Sequence, residues 1–143
     1  MSRDELLRFL RRHRLAVEAS VAPGSAPQAA VVGFAVSDRF EFVFDTLDTT
    51  RKVANLRGNP RLALVVGWDE ERTAQIEGLA DEPRGDDLAR LKRIYFQQYP
   101  DGPAREAWPG ITYVRVKATW IRYSDYNPSP PEIVEFDAKA LGR

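Results

Sequence analysis

From Leu15 onward the apolar residues of this chain recur at every second position, in short runs cut by Gly, Pro, Asn and Asp. That period belongs to pleated strands, whose side chains alternate between two faces, and not to helices. Leu15, Val17, Ala19 and Val21 alternate with Ala16, Glu18 and Ser20, and Pro23-Gly24-Ser25 then supplies turn chemistry, so a strand enters a hairpin. The return segment, Gln28 to Val36, is apolar on both faces, the pattern of a central strand with something packed on each side. Ser37-Asp38-Arg39 turns it into Phe40 to Phe44, with Phe at alternate positions. Arg61 to Gly67 and Thr73 to Ala80 form a second hairpin through Trp68 to Arg72. Ile111 to Tyr123 reads as a long strand with Val114, Val116, Ala118, Trp120 and Arg122 on one face.

Helices interrupt these strands at three places. Ser2 and Glu5 have capping-box spacing ahead of Leu6, Leu7 and Leu10, a short N-terminal helix to which no function is assigned. Asp45 to Thr50 is rich in capping residues and leads into Arg51 to Arg57, with Val53, Ala54 and Leu56 as its apolar face and Gly58-Asn59-Pro60 as its stop. Asp86 and Asp87 open a third helix with a Leu88, Leu91, Ile94, Tyr95 and Tyr99 stripe, ended by Pro100. Residues 101–110 form a loop whose Trp108 is expected to pack on something, and the Pro-rich tail after Asn127 either frays or docks through Ile133, Val134 and Phe136. The expectation is a single, mainly β (α+β) domain over residues 1–143, a six-stranded antiparallel barrel with peripheral helices, its core at 14–126 and its tail at 127–143.

Composition narrows the chemistry. Lys plus Arg and Asp plus Glu each number 21, so nothing draws the chain generally to nucleic acid or to an anionic membrane, and any anion site must be local. The absence of Cys removes thiolate chemistry, and the lone His13 cannot anchor a metal centre, so redox work would need a borrowed cofactor. The start of the chain is charged and no stretch is apolar enough to span a bilayer, which makes the cytoplasm the expected location. No Gly-x-Gly-x-x-Gly, phosphate-loop lysine or Gly-x-Ser-x-Gly motif occurs, and no side chain is singled out as catalytic.

Thr46 to Lys52 is the most suggestive stretch, because hydroxyl residues run into two cations at the first turn of a helix that follows a strand. Free N–H groups and the positive dipole end attract an anion there, Thr49 and Thr50 can donate hydrogen bonds, Arg51 can bind phosphate oxygens in pairs, and Lys52 adds a point charge. A capped helix with a solvated basic face has the same residues.

Phe44-Asp45-Thr46-Leu47-Asp48-Thr49-Thr50-Arg51-Lys52, continuing through Asn55-Leu56 and Asn59-Pro60-Arg61 to the Leu62 to Val66 strand, resembles the core of the pyridoxamine phosphate oxidase-like FMN-binding family. Gln75-Ile76-Glu77-Gly78-Leu79-Ala80 resembles the strand that follows, and Thr119 to Asp125 is similar to the C-terminal strand of short members. The resemblance implies a split β-barrel and a homodimer with FMN at its interface. Arg51 and Lys52 would hold the FMN phosphate, with Thr50 and Thr49 donating and Thr46 near the ribityl chain. Ala30-Val31-Val32-Gly33 would run along the isoalloxazine, Gly33 removing a steric obstacle, and Gln75 would point inward to the flavin's heteroatoms. Gln75 on an outer strand face is the alternative. Trp120 and Arg122, two apart on a strand, would reach the flavin held mainly by the other subunit; the alternative is a buried aromatic beside a salt-bridged neighbour.

The resemblance departs from the true oxidase at Ala30, where an arginine anchor is expected, and the oxidase's C-terminal Arg-x-His pair for the substrate phosphate has no counterpart in these residues. It therefore implies the cofactor site and not pyridoxamine phosphate oxidation. Three functions follow: an FMN-dependent oxidoreductase acting on a small organic substrate, a non-catalytic flavin-binding stress-type protein, or a deazaflavin-dependent reductase that uses Arg57 and Arg61 as further cations.

Overall fold

In a computed structural model describing residues 1–143, the period-two runs become strands β1 (Leu15–Val21), β2 (Pro27–Gly33), β3 (Ala35–Val36), β4 (Glu41–Leu47), β5 (Arg61–Val66), β6 (Arg72–Asp81), β7 (Ile111–Asp125) and β8 (Glu132–Phe136). Helices α1 (Arg3–Arg11), α2 (Arg51–Gly58), α3 (Gly85–Gln98) and the single turn α4 (Gly102–Arg105) lie between them. All pairings are antiparallel, in the order β2-β1-β5-β6-β7-β4-β3, with β8 added to β7. β2, at one end of this path, touches β4, next to the other end, without pairing, which leaves the barrel split along one seam. No helix is long and apolar enough to cross a membrane.

The split barrel is the expected architecture, and eight strands replace the expected six for two local reasons. The chain bends at Phe34, whose N–H donates to the Arg14 carbonyl, so the segment after Gln28 divides into β2 and the two-residue β3. The tail docks: β8 pairs with Ile121 to Asp125, and Phe136 and Leu141 are buried. The segment from Gln28 was also expected to be central, whereas β2 is an edge strand. Its second apolar face is left open, with Val31 61% exposed.

β7 breaks the strict alternation expected of it. The pairing with β6 shifts between Glu77 and Gly78, so Gly78 faces Ala118 while Glu77 faces Trp120, and Thr119 is the extra residue of a β-bulge. Val114, Val116 and Ala118 are therefore in the core with Ile121 and Tyr123, whereas Trp120 and Arg122 turn to the opposite face. Gly78 is needed here, because a Cβ would fall 2.6 Å from the Lys117 carbonyl oxygen.

The core is closed from one end by α1, whose Leu6, Phe9 and Leu10 are buried and whose capping box is present, with Ser2 N–H donating to Glu5 Oε2 at 2.6 Å and Glu5 N–H to Ser2 Oγ at 3.2 Å. A buried ionic network ties α3 to the sheet. Glu41 accepts from Arg90 Nη1 (2.9 Å), Arg115 Nη1 (3.2 Å) and the Ser37 hydroxyl (2.9 Å), and Arg115 also reaches Asp81 and Asp87. Trp108 does not pack as expected; it stays 52% exposed on the loop after α4.

Candidate anion-binding cleft

The turn from β4 into α2 brings Thr46, Thr49, Thr50, Arg51 and Lys52 to the open seam. Thr50 is the N-cap residue of α2, but its hydroxyl donates back to the Leu47 carbonyl (2.9 Å) and lies 3.4 Å from Thr46 Oγ1. No side chain therefore caps the first N–H groups of α2, and they remain able to bind an anion. Asp45, at the head of the same segment, has a structural role: its carboxylate accepts from Arg105 Nε (2.7 Å) and the Tyr95 hydroxyl (3.0 Å), fastening α3 and α4 to β4. Burial, with the Asp45 charge beside it, pushes the Tyr95 hydroxyl well above the ordinary tyrosine range.

In front of this turn lies a cleft of about 610 Å³ lined by Glu18, Ser20, Gln28, Ala29, Ala30, Thr49, Thr50, Arg51 and Lys52. Neighbouring cations are already paired, Arg57 with Glu82 (2.8 Å) and Arg105 with Asp45 (2.7 Å), whereas Arg51 and Lys52 stand on the cleft wall without a carboxylate in ion-pair distance. Gln28 lies between α2 side chains: in one amide orientation its oxygen accepts from Asn55 Nδ2 at 2.7 Å, in the other from the Arg51 guanidinium at 2.9 Å. Asn55 also donates to Ser20 Oγ (3.0 Å), so the floor is a fixed polar lattice. Arg57, expected as a further cation at the mouth, is held away by its bidentate pair with Glu82.

Of the expected ligand residues, Ala30, Thr49, Thr50, Arg51 and Lys52 line this cleft, and Thr46 stands directly behind Thr50. The rest lie elsewhere. Val32 is in the core and Val31 is on the outer face of the sheet. Gly33 does not leave room for a ligand ring, because Tyr99 fills the space: a Cβ there would sit 2.5 Å from the tyrosine hydroxyl. Gln75, expected to point inward, is exposed; its neighbours Ala74 and Ile76 hold the inner face, and strand alternation leaves Gln75 the outer one. There it forms a cross-sheet row with Val31, Val17, Val65 and Arg122. Trp120 and Arg122 share that face, and Glu135 of β8 accepts from Trp120 Nε1 and pairs with Arg122 Nε, each at 3.4 Å.

Glu18, Ser20 and Gln28 were not singled out from the sequence. Of the two alternating sets on β1 the polar one, Ala16, Glu18 and Ser20, is buried, and Leu15 is left 47% exposed. The signal was the Glu and Ser two apart on a strand, but alternation alone does not say which set faces in.

The family model described as pyridoxamine 5'-phosphate oxidase matches residues 2–125. A curated relative, the pyridoxine/pyridoxamine 5'-phosphate oxidase of Bordetella avium (strain 197N), is 32% identical over 123 residues, covering 79% of this chain and 57% of that protein. The chain thus spans little more than half the length of the curated relatives it matches. Among solved structures, a heme binding protein from Mycobacterium smegmatis superposes with a TM-score of 0.83 at 17% identity, over 99% of this chain and 60% of that one. A pyridoxamine 5'-phosphate oxidase-related, FMN binding protein from Nostoc punctiforme PCC 73102 does so with a TM-score of 0.75 at 13% identity, over 94% and 90%.

Proposed function

Because the chain belongs to the pyridoxamine 5'-phosphate oxidase family, we propose that it is a flavoprotein that binds FMN through the cleft at the start of α2 and works as an FMN-dependent oxidoreductase on a small organic substrate. The observation that carries the reading is that Arg51 and Lys52, with no carboxylate in ion-pair distance, stand beside uncapped helix-start N–H groups. Arg51 and Lys52 would neutralise a phosphate dianion, with the Thr49 and Thr50 hydroxyls and the α2 N–H groups as donors. Edge strand β2 has backbone groups with no strand partner on its seam side, which suit the polar rim of a flat heterocycle. Bound there, FMN would supply the hydride and electron transfer, while the protein holds, orients and shields it.

A homodimer belongs to this reading. The outer face of β2, β1 and β5 presents Val31, Val17, Val65, Leu15, Ala19 and Ala63, an apolar surface continuous with Gln75, Trp120 and Arg122. A second copy laid on it would bury the apolar strip and bring Gln75, Trp120 and Arg122 to the partner's flavin.

Haem and deazaflavin fit less well. The single His13 lies in another cleft, beside Arg11 and Arg90, its Nδ1 2.9 Å from the Phe9 carbonyl and its ring packed on Phe9. The longer anionic tail of a deazaflavin would call on Arg57, which Glu82 holds. The purified protein is expected to be yellow with a flavin spectrum. Bleaching by a nicotinamide donor, followed by reoxidation with an acceptor, would separate an enzyme from a binder; a colourless protein that takes up no FMN would overturn the reading.

A further inference from the structure

Glu18 is out of place in a cleft built for an anion. It is 1% exposed on the inner face of β1, one pleat beyond Ser20, and it lines the same cleft as Arg51 and Lys52. Its Oε2 is buried with no hydrogen-bond partner. The elements packed around it offer little to an ionised carboxylate. From β2 come Gln28 and Ala30, the latter directly opposite Glu18, and from β5 comes Leu64, also directly opposite. The β4–α2 turn gives Thr49 and Thr50, and α2 gives the charged groups of the cleft besides Glu18 itself, Arg51 and Lys52. Burial raises the Glu18 carboxyl above the ordinary glutamate range, and only the Lys52 charge pulls it back.

We propose that Glu18 is a ligand-reading residue of this cleft that works in its protonated form, donating a hydrogen bond to an oxygen of a phosphate ester seated on Arg51 and Lys52, so that ligand binding takes up one proton. The reason is charge balance. An anion on Lys52 removes the charge that favours ionised Glu18 and adds a negative neighbour, and both changes drive the carboxyl toward its neutral form. Neutral, it has a hydroxyl to donate, and the phosphate or the polyol oxygens next to it accept. The proton comes from solvent and stays on the carboxyl until the ligand leaves. The ligand class that suits this arrangement is a dianionic phosphate ester with an oxygen-rich chain.

This inference rests on the anion-cleft reading, and the experiment separates the two. Titration calorimetry of the full chain with FMN at pH 8, in buffers of different ionisation heat, is expected to show uptake approaching one proton per FMN. Affinity should fall by about tenfold per pH unit above the titration of Glu18 in the free protein. Glu18→Gln, a neutral donor of the same shape, is expected to bind FMN without proton uptake, with its pH dependence flattened and with affinity at pH 8 at least that of the wild type. Glu18→Leu should lose the donor and the proton uptake together while Arg51 and Lys52 still hold the phosphate. Tight FMN binding without proton uptake, or the same pH slope in Glu18→Gln, overturns the inference and leaves the flavin reading standing. If FMN fails to bind, inorganic sulfate, which stays dianionic throughout, is the probe. Sulfate binding with proton uptake keeps the inference and removes the flavin; binding of neither removes both.

Discussion

Tyr99 occupies the side-chain space of Gly33: the tyrosine ring and hydroxyl lie where a Cβ on Gly33 would be, 2.6 and 2.5 Å away. The hydroxyl donates to the Arg14 carbonyl, and the Arg14 guanidinium lies over the ring at 4.6 Å, so the end of β2, the start of β1 and the end of α3 close on one another at this point. Gly33→Ala must displace the ring. It is expected to destabilise the fold by about 1–3 kcal/mol as an overpacking change. Tyr99→Phe, which keeps the ring, should cost only about 0.5–1.5 kcal/mol. Urea unfolding of both variants checks the order; a Gly33→Ala variant as stable as the parent would show that the ring does not hold this position.

Arg51→Ala is expected to weaken FMN binding by about 1.5–3 kcal/mol, the range for a charge-assisted contact, or roughly ten- to a hundredfold in Kd. Arg57→Ala, which removes a cation held by Glu82, should leave FMN affinity unchanged. Quenching of flavin fluorescence reads both, and equal losses would mean that the two arginines act only through the general field of α2.

Glu41 sets an acid limit on stability. Burial pushes its carboxyl up, but hydrogen bonds from Arg90 and Ser37, the Arg90 charge and Arg115 outweigh this and hold it below the ordinary glutamate range. A depressed carboxyl contributes stability that is full above its unfolded-state pKa and is lost as pH falls through the folded value. Urea midpoints should therefore fall as the pH drops below the ordinary glutamate range, and Glu41→Gln should be less stable at neutral pH with a flatter acid limb.

Removing Arg115 is a harsher test of the same network. Arg115→Met takes away the Nη1 contact to Glu41 (3.2 Å) and both contacts to Asp81 (2.8 and 2.6 Å), leaving Glu41 with Arg90 and Ser37. A loss of about 3 kcal/mol is expected, toward the low end for breaking a buried pair because Arg90 remains. Thermal unfolding would detect it.

On the homodimer reading, Val31→Asp places a charge in the middle of the apolar outer face of β2 and is expected to give a monomer in light scattering where the parent gives a dimer, releasing FMN as it does so. A variant that stays dimeric would place the interface on another surface.

Most strands were legible because their residues alternate and turn residues bound them, and the turn of hydroxyls and cations into α2 because Thr49-Thr50-Arg51-Lys52 is contiguous. What could not be read was which alternate faces in. On β1 the set with Glu18 and Ser20 is inside because Asn55 and Gln28 come from elsewhere in the chain to meet it, and no local pattern announces that meeting. Gln75 misleads for a related reason: a polar residue between Ala74 and Ile76 turns away from the core, and its use depends on what lies outside one copy of the chain. Tyr99 reaches Gly33 across 66 residues of sequence, beyond the range of any periodicity.

The extra residue at Thr119 splits one long strand between two jobs. Up to Ala118, β7 is answerable to the interior, where any change of volume is felt; from Trp120 on, two of its side chains meet whatever lies against the barrel wall. A strand that changes sides midway can trade Trp120 and Arg122 for a new guest while its inward residues go on holding the house together.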